Sequence, residues 1–304
     1  MRLENQAPVE QNRKLGLACA IGVLFIWSGF IVFSRAGVKT NLTAMDMTGL
    51  RFLVAGGITL PFVLKWWPRH LPWKAVLLMS LCGPGIIYSL LMYWGLNETS
   101  AAYAGVFANG SLPVFTVLLV AVFSASLPDR SQAAGLMVIV AGATLVGSAG
   151  FIGSQKSILL GVMLFLAASA VLAVYIFGVR YWKITPRQAL ALVNVPNALV
   201  FVPIWLLFLP SGLAESGLST ILFQALYQGL GPGFAAVIMF ALAATHLGPT
   251  ATAGFSAAVP ASAAVLAIPV LGEVPDYQEW LGIAVVTLGL TLLLFSGKVA
   301  RARA

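Results

Sequence analysis

The chain has 304 residues; 60% are hydrophobic, 9% are charged, the formal net charge is +8 and the mean hydropathy is +0.96. A soluble domain carries about 25% charged residues, so this composition excludes a water-facing surface and marks an integral membrane protein. The apolar runs match the roughly 17–25 residues that cross a bilayer as helix, and the alternating ten-residue segments of a membrane barrel are absent.

In chain order, residues 1–14 form a polar tail. Span 1 (15–34) is longer than a signal-peptide core and lacks a following small-residue cleavage site, so it reads as a retained helix carrying Cys19 and Trp27. Span 2 (45–64) holds Arg51, expected to snorkel to the membrane surface or to pair with Glu98 or Asp46. Span 3 (73–95) contains Cys82, the Gly83-Pro84-Gly85 break and Tyr88, and span 4 (100–123) carries Phe107, Asn109 and Pro113. Spans 5 (131–149) and 6 (157–178) contribute Gly135, Gly142 and Tyr175. Span 7 (187–209) has Asn194 and Asn197 flanking Pro196, a polar spot that reads as interhelical glue. Span 8 (218–244) carries Tyr227 and Gln228 before a second break, Gly231-Pro232-Gly233, and is followed by His246. Span 9 (249–271) holds Phe255, Ser256 and Pro260; span 10 (277–296) holds Gly282 and Gly289 and leads to a tail over 298–304. The two cysteines read as buried apolar filler rather than a disulfide or metal pair.

Of the 17 basic residues, 13 fall on the side of the termini, Arg35, Lys39 and Lys156 fall opposite, and Arg51 lies within a span. This asymmetry predicts cytoplasmic termini and explains the basic excess without nucleic acid. Trp66, Trp67, Trp73, Trp182, Trp205, Tyr277 and Trp280 sit at span ends, where an aromatic belt is expected.

The two halves repeat. Residues 126–145 lie over 273–292 with their Pro-Asp pairs, Gly135/Gly282, Gly142/Gly289 and Thr144/Thr291 in register, and Pro113 meets Pro260 at the same offset of 147. A five-span unit in tandem enters the membrane from opposite sides, so the expected fold is all-α, with ten helices in two inverted repeats over 15–149 and 150–297. Such repeats are a signature of secondary transporters that bind substrate near mid-bilayer and alternate access.

Pro84, Pro113, Pro232 and Pro260 are expected to free the carbonyls of Ser80, Asn109, Gln228 and Ser256, all polar residues themselves. Such breaks persist where protein or a wet cavity satisfies the backbone. The hinge candidates are therefore Gly83, Pro84, Gly85, Pro113, Gly231, Pro232, Gly233 and Pro260. The substrate-site candidates are Trp27, Tyr88, Phe107, Asn109, Tyr175, Gln228, Phe255 and Ser256, around an uncharged chamber. All nine acids lie in termini, loops or span ends, which argues against cation efflux through a deep carboxylate. Strong anions would need buried Arg or Lys as counter-charges, and only Arg51 is available within a span. A zwitterionic or neutral solute remains, with efflux of purines or quaternary amines as the alternative. A facilitative carrier is expected; His246 is the candidate for proton coupling and also reads as a structural span-end residue. No cofactor or metal is expected. An intramembrane enzyme lacks its motifs: no H-E-x-x-H, no G-x-S-x-G, and only His70 and His246 as histidines. The heptad-spaced glycines read as intramolecular packing before dimerisation, so a monomer is expected with a homodimer as the alternative.

The Arg51-Phe52 pair and the stretch 271–290, with Glu273, Gln278 and Gly282 opening the last span, resemble the drug/metabolite transporter superfamily in its EamA-repeat branch. The resemblance covers nearly the whole chain. It departs at Ser126, which stands where the second copy has Glu273, making Glu273 a span-end determinant rather than a coupling acid. Within that branch the chain is similar to the YddG-type exporters of aromatic amino acids. This resemblance implies a bacterial inner-membrane exporter of phenylalanine, tyrosine, tryptophan and related amino acids.

Overall fold

Several helix starts in this chain are written in side chains that satisfy free amides. Thr43 and Asp46 form a reciprocal capping box, as do Thr185 and Gln188. The repeated Pro-Asp pairs do the same: Asp129 exchanges bonds with Gln132 at 3.2 and 2.8 Å, and Asp276 with Glu279 at 2.9 and 2.7 Å. These pairs recur because each opens the last helix of its half.

A computed structural model describes residues 12–124, 127–151 and 156–301. Most of the expected N-terminal tail, and Ser126, lie outside the described residues. The ten helices are α1 (Arg13–Val38), α2 (Ala44–Trp66), α3 (Trp73–Glu98), α4 (Ala101–Phe123), α5 (Arg130–Phe151), α6 (Lys156–Tyr181), α7 (Pro186–Phe208), α8 (Leu218–Leu247), α9 (Pro249–Ala257 with Val259–Leu271) and α10 (Tyr277–Arg301). Nine are long and apolar enough to cross a membrane, and α9 makes a tenth span bent by 42° at Ala258. The protein is a multi-pass membrane protein.

Packing follows an exchange of halves. α1 packs on α8 and α9, while α6 packs on α3 and α4. α2 and α7 lie on each other, and so do α5 and α10. Advancing each helix by five maps this pattern onto itself. Gly142 and Gly282 face one another so closely that a β-carbon on either would lie 2.8 Å from the other's carbonyl oxygen; Gly135 and Gly289 meet the same way. The small-residue faces of α5 and α10 are therefore used within the chain.

Trp205 departs from the aromatic belt. It is buried, and its indole donates to Asp46 Oδ1 at 2.9 Å, because the buried capping carboxylate of α2 offers an acceptor that lipid does not. Trp73 and Tyr277, by contrast, are exposed at their helix ends.

Candidate functional site

The break in α3 runs from Cys82 to Gly85 between two α-helical pieces, Trp73–Leu81 and Ile86–Glu98. Gly83 has φ +78°, a left-handed conformation that glycine adopts at no steric cost, and a β-carbon there would overlap the Tyr175 ring. Tyr175 of α6 thus lies directly on the break. The Ser80 carbonyl freed by Pro84 accepts from Asn197 Nδ2 at 2.8 Å. In return, Ser80 Oγ donates at 2.7 Å to the carbonyl of Leu192, four residues before Pro196. Asn194 serves the other half: its Nδ2 donates to the Gly233 carbonyl in the α8 break at 3.0 Å and to Thr59 Oγ1 at 3.2 Å. One turn of α7 therefore holds both Gly-Pro-Gly breaks.

The remaining breaks differ from expectation. In α4 the helix widens to a π-helix over Gly105–Gly110, and Pro113 stands in the first turn of the segment that restarts at Leu112. α8 has a π-helix over Gly231–Ala235 with Pro232 at its start, and Pro260 is in the first turn after the α9 bend. A π-helical turn before Pro113, another around Pro232 and the 42° bend before Pro260 accommodate the missing amide bonds, so these three prolines do not sit inside regular α-helix. Of the four carbonyls, among the described residues only that of Ser80 is met by a side chain of another helix. The two π-helices lie against the other half: a β-carbon built on Gly105 would stand 3.1 Å from the Pro260 α-carbon, and one on Gly233 would stand 3.0 Å from Ala55.

Arg51 corrects the expectation of an uncharged interior. It neither snorkels nor pairs: it is 2% exposed, and its Nε and Nη1 have no hydrogen-bond partner among the described residues. Its guanidinium lies 5.5 Å from the centroid of Phe30 and 6.0 Å from that of Phe52, and it faces the Tyr93 hydroxyl. Tyr88 stacks on Phe30 at 6.5 Å. Tyr93 donates to Gln228 Oε1 at 3.3 Å, and Gln228 Nε2 donates to Ser34 Oγ at 3.0 Å and Gln224 Oε1 at 3.1 Å. The expected partners are engaged elsewhere. Asp46 accepts from Thr43, Trp205, Ser211 and Gly212. Glu98 takes a long 3.4 Å bond from its neighbour Asn97.

Among the sequence candidates, Tyr88 and Gln228 thus converge on one buried cluster where α1, α2, α3 and α8 meet. Others go elsewhere. Trp27 stacks on Phe240 at 5.4 Å. Phe107, buried, stacks on Tyr103 at 5.9 Å. Phe255 packs with Cys19, Ala20 and Ala243 in a separate apolar cluster, and Ser256 Oγ donates to the Thr252 carbonyl at 3.4 Å. Asn109 is half-buried, and its side chain has no hydrogen-bond partner among the described residues. His246 Nδ1 accepts from the Asn12 amide at 3.3 Å and so finishes the start of α1. Sequence reading missed Phe30, Ser34, Tyr93 and Gln224. Gln224 was accessible, since it lies one helical turn before Gln228; nothing in the local pattern separates the other three from lipid-facing neighbours.

At the end of the bundle away from the start of α1, Arg35 Nε donates to Glu273 Oε1 at 2.8 Å, and Glu273 Oε2 accepts from the Ala101 amide at 3.0 Å. Arg35 also donates to the Leu96 and Asn97 carbonyls. This largely buried pair ties α1, α3, α4 and the α9–α10 connection together.

The EamA-like transporter family matches twice, over residues 14–148 and 159–295. The uncharacterized transporter YwfM of Bacillus subtilis (strain 168) is 29% identical over 277 residues, covering 88% of this chain and 90% of that protein. A probable terminal-alkyne amino-acid exporter of Streptantibioticus cattleyicolor is 26% identical over 220 residues, 71% of this chain and 72% of its own length. A solved structure superposes with a TM-score of 0.64 at 17% identity, over 93% of this chain and 98% of that one, a likeness of fold alone.

Proposed function

Since the chain belongs to the EamA-like transporter family, we propose that it exports amino acids, aromatic ones foremost, by alternating access between its two halves. The observation that carries this reading is the buried cluster of Phe30, Tyr88, Tyr93, Gln228 and Arg51, which sets aromatic faces beside hydrogen-bonding groups between helices of both halves. Aromatic rings bind a planar side chain, and the amides and hydroxyls orient its polar end. The amino-acid exporter among the relatives supports the substrate class. The positive charge at Arg51 disfavours the alternative of quaternary-amine efflux, because a like charge in a low-dielectric interior is costly.

The breaks supply the motion. α3 is broken at Cys82–Gly85 and α8 widens to a π-helix over Gly231–Ala235, and α7 holds both through Asn197 and Asn194. The Arg35–Glu273 pair closes one end. With the basic residues concentrated at the other end, the membrane is the bacterial inner membrane, the termini are cytoplasmic and the closed end is external. Residues 15–149 and 150–297 are the two rocking units.

Counterflow in proteoliposomes tests this. Saturable exchange of phenylalanine, tyrosine or tryptophan is expected. Exchange confined to quaternary amines or purines overturns it.

A further inference from the structure

Among the described residues Arg51 is a cation without a counter-ion. Burying an unpaired charge costs several kcal/mol, and the guanidinium does not escape by losing its proton. Its contacts with Phe30 and Phe52 offset part of that cost but supply no negative charge. The protein's carboxylates are accounted for among the described residues. Asp46 is saturated by its cap and by Trp205, Ser211 and Gly212. Glu273 is committed to Arg35, and Asp129, Asp276 and Glu279 serve helix starts. Glu98 ends α3 and takes its bond from Asn97, and Glu215 lies in the α7–α8 connection. None meets Arg51.

We infer that Arg51 is the substrate-carboxylate site, its unpartnered Nε and Nη1 reserved for an aromatic monocarboxylate whose ring lies against Phe30 and Tyr88. This rests on the amino-acid reading for the identity of the solute but not for the chemistry of the site. One guanidinium suits one negative charge; a phosphate dianion would require further cations, and among the described residues no second Lys or Arg shares this cluster. The Tyr93 hydroxyl faces the guanidinium and donates in turn to Gln228 Oε1, so polar groups continue from Arg51 toward α8. Access comes with bending at Gly83–Gly85, which moves the segment that bears Tyr88 and Tyr93 relative to Arg51.

The test is calorimetric titration of the full chain in nanodiscs with phenylalanine, 3-phenylpropionate, phenylalaninamide and phenethylamine, for the unmodified protein and for Arg51→Gln and Arg51→Lys. A hydrogen-bonded charge pair corresponds to about tenfold or more in affinity. The unmodified protein is expected to favour phenylalanine over its amide by that factor. Arg51→Gln removes the preference, and Arg51→Lys restores part of it. Equal binding of acid and amide by the unmodified protein overturns the assignment, a measurement that stands even where Arg51→Gln fails to fold. So does a folded Arg51→Gln protein that keeps the preference. Loss of phenylalanine exchange with retained, Arg51-dependent binding of 3-phenylpropionate refutes the amino-acid reading and leaves the carboxylate site. Phenylalanine exchange with no discrimination by Arg51 does the reverse.

Discussion

Ser80 and Asn197, 117 residues apart, complete each other's broken helices: Asn197 Nδ2 donates to the Ser80 carbonyl at 2.8 Å, and Ser80 Oγ donates to the Leu192 carbonyl one turn before Asn197 at 2.7 Å. Each helix thus satisfies a backbone group that the other's proline set free. Asn197→Ala leaves a buried carbonyl unmet, which in a membrane costs about 1 kcal/mol. Thermal unfolding in detergent should show that loss for Asn197→Ala and for Ser80→Ala. In the double variant the losses should fall short of additive, because the two side chains act on one contact between the same helices.

The Arg35–Glu273 pair predicts a change in access. In a protein without its native cysteines (Cys19→Ala, Cys82→Ala), a cysteine at Ala101 sits fully buried beside Glu273. Adding Glu273→Gln removes the charge attraction that holds this end shut, so a membrane-impermeant maleimide should label Ala101→Cys faster. Unchanged labelling means the pair does not gate that end.

Crowding between α5 and α10 is next. At Gly282 a β-carbon would stand 2.8 Å from the Gly142 oxygen and 3.0 Å from the Val146 amide, both backbone atoms that cannot turn aside. Gly282→Val should therefore destabilise by about 2 kcal/mol or more, seen as a lower unfolding midpoint. Leu288→Ala on the exposed side of α10 should stay within about 0.5 kcal/mol.

Asn109 and Gln228 separate binding from folding. Asn109→Ala removes a half-buried amide with no partner among the described residues, so stability should hold within about 0.5 kcal/mol while exchange falls if the residue touches solute. Gln228→Ala breaks bonds to Tyr93, Ser34 and Gln224, so unfolding midpoint and exchange should both drop. Parallel unfolding and counterflow measurements on the two variants distinguish these outcomes.

Much of the scaffold was readable. Runs of apolar residues predicted all ten spans, and spacing of three between Asp129 and Gln132, or Asp276 and Glu279, is a capping signal that the structure realises. The facing glycines of α5 and α10 follow from the same kind of pattern. The interior was less readable. Trp205 looked like a belt residue because position within a span was the only cue, and it turned inward for Asp46. At three of the four break prolines a π-helical turn or a bend, rather than a gap between helices, accommodates the ring, which composition alone does not distinguish.

Hydropathy, charge placement and repetition are properties of short stretches, and by themselves they determined a ten-helix membrane protein built of two related halves. Only the tertiary structure decided that Arg51 lies unpaired among Phe30, Tyr88 and Tyr93 and that Arg35 takes Glu273. The reason is physical: in a membrane bundle the partner of a polar group is set by which distant helices touch, and no local spacing encodes that meeting.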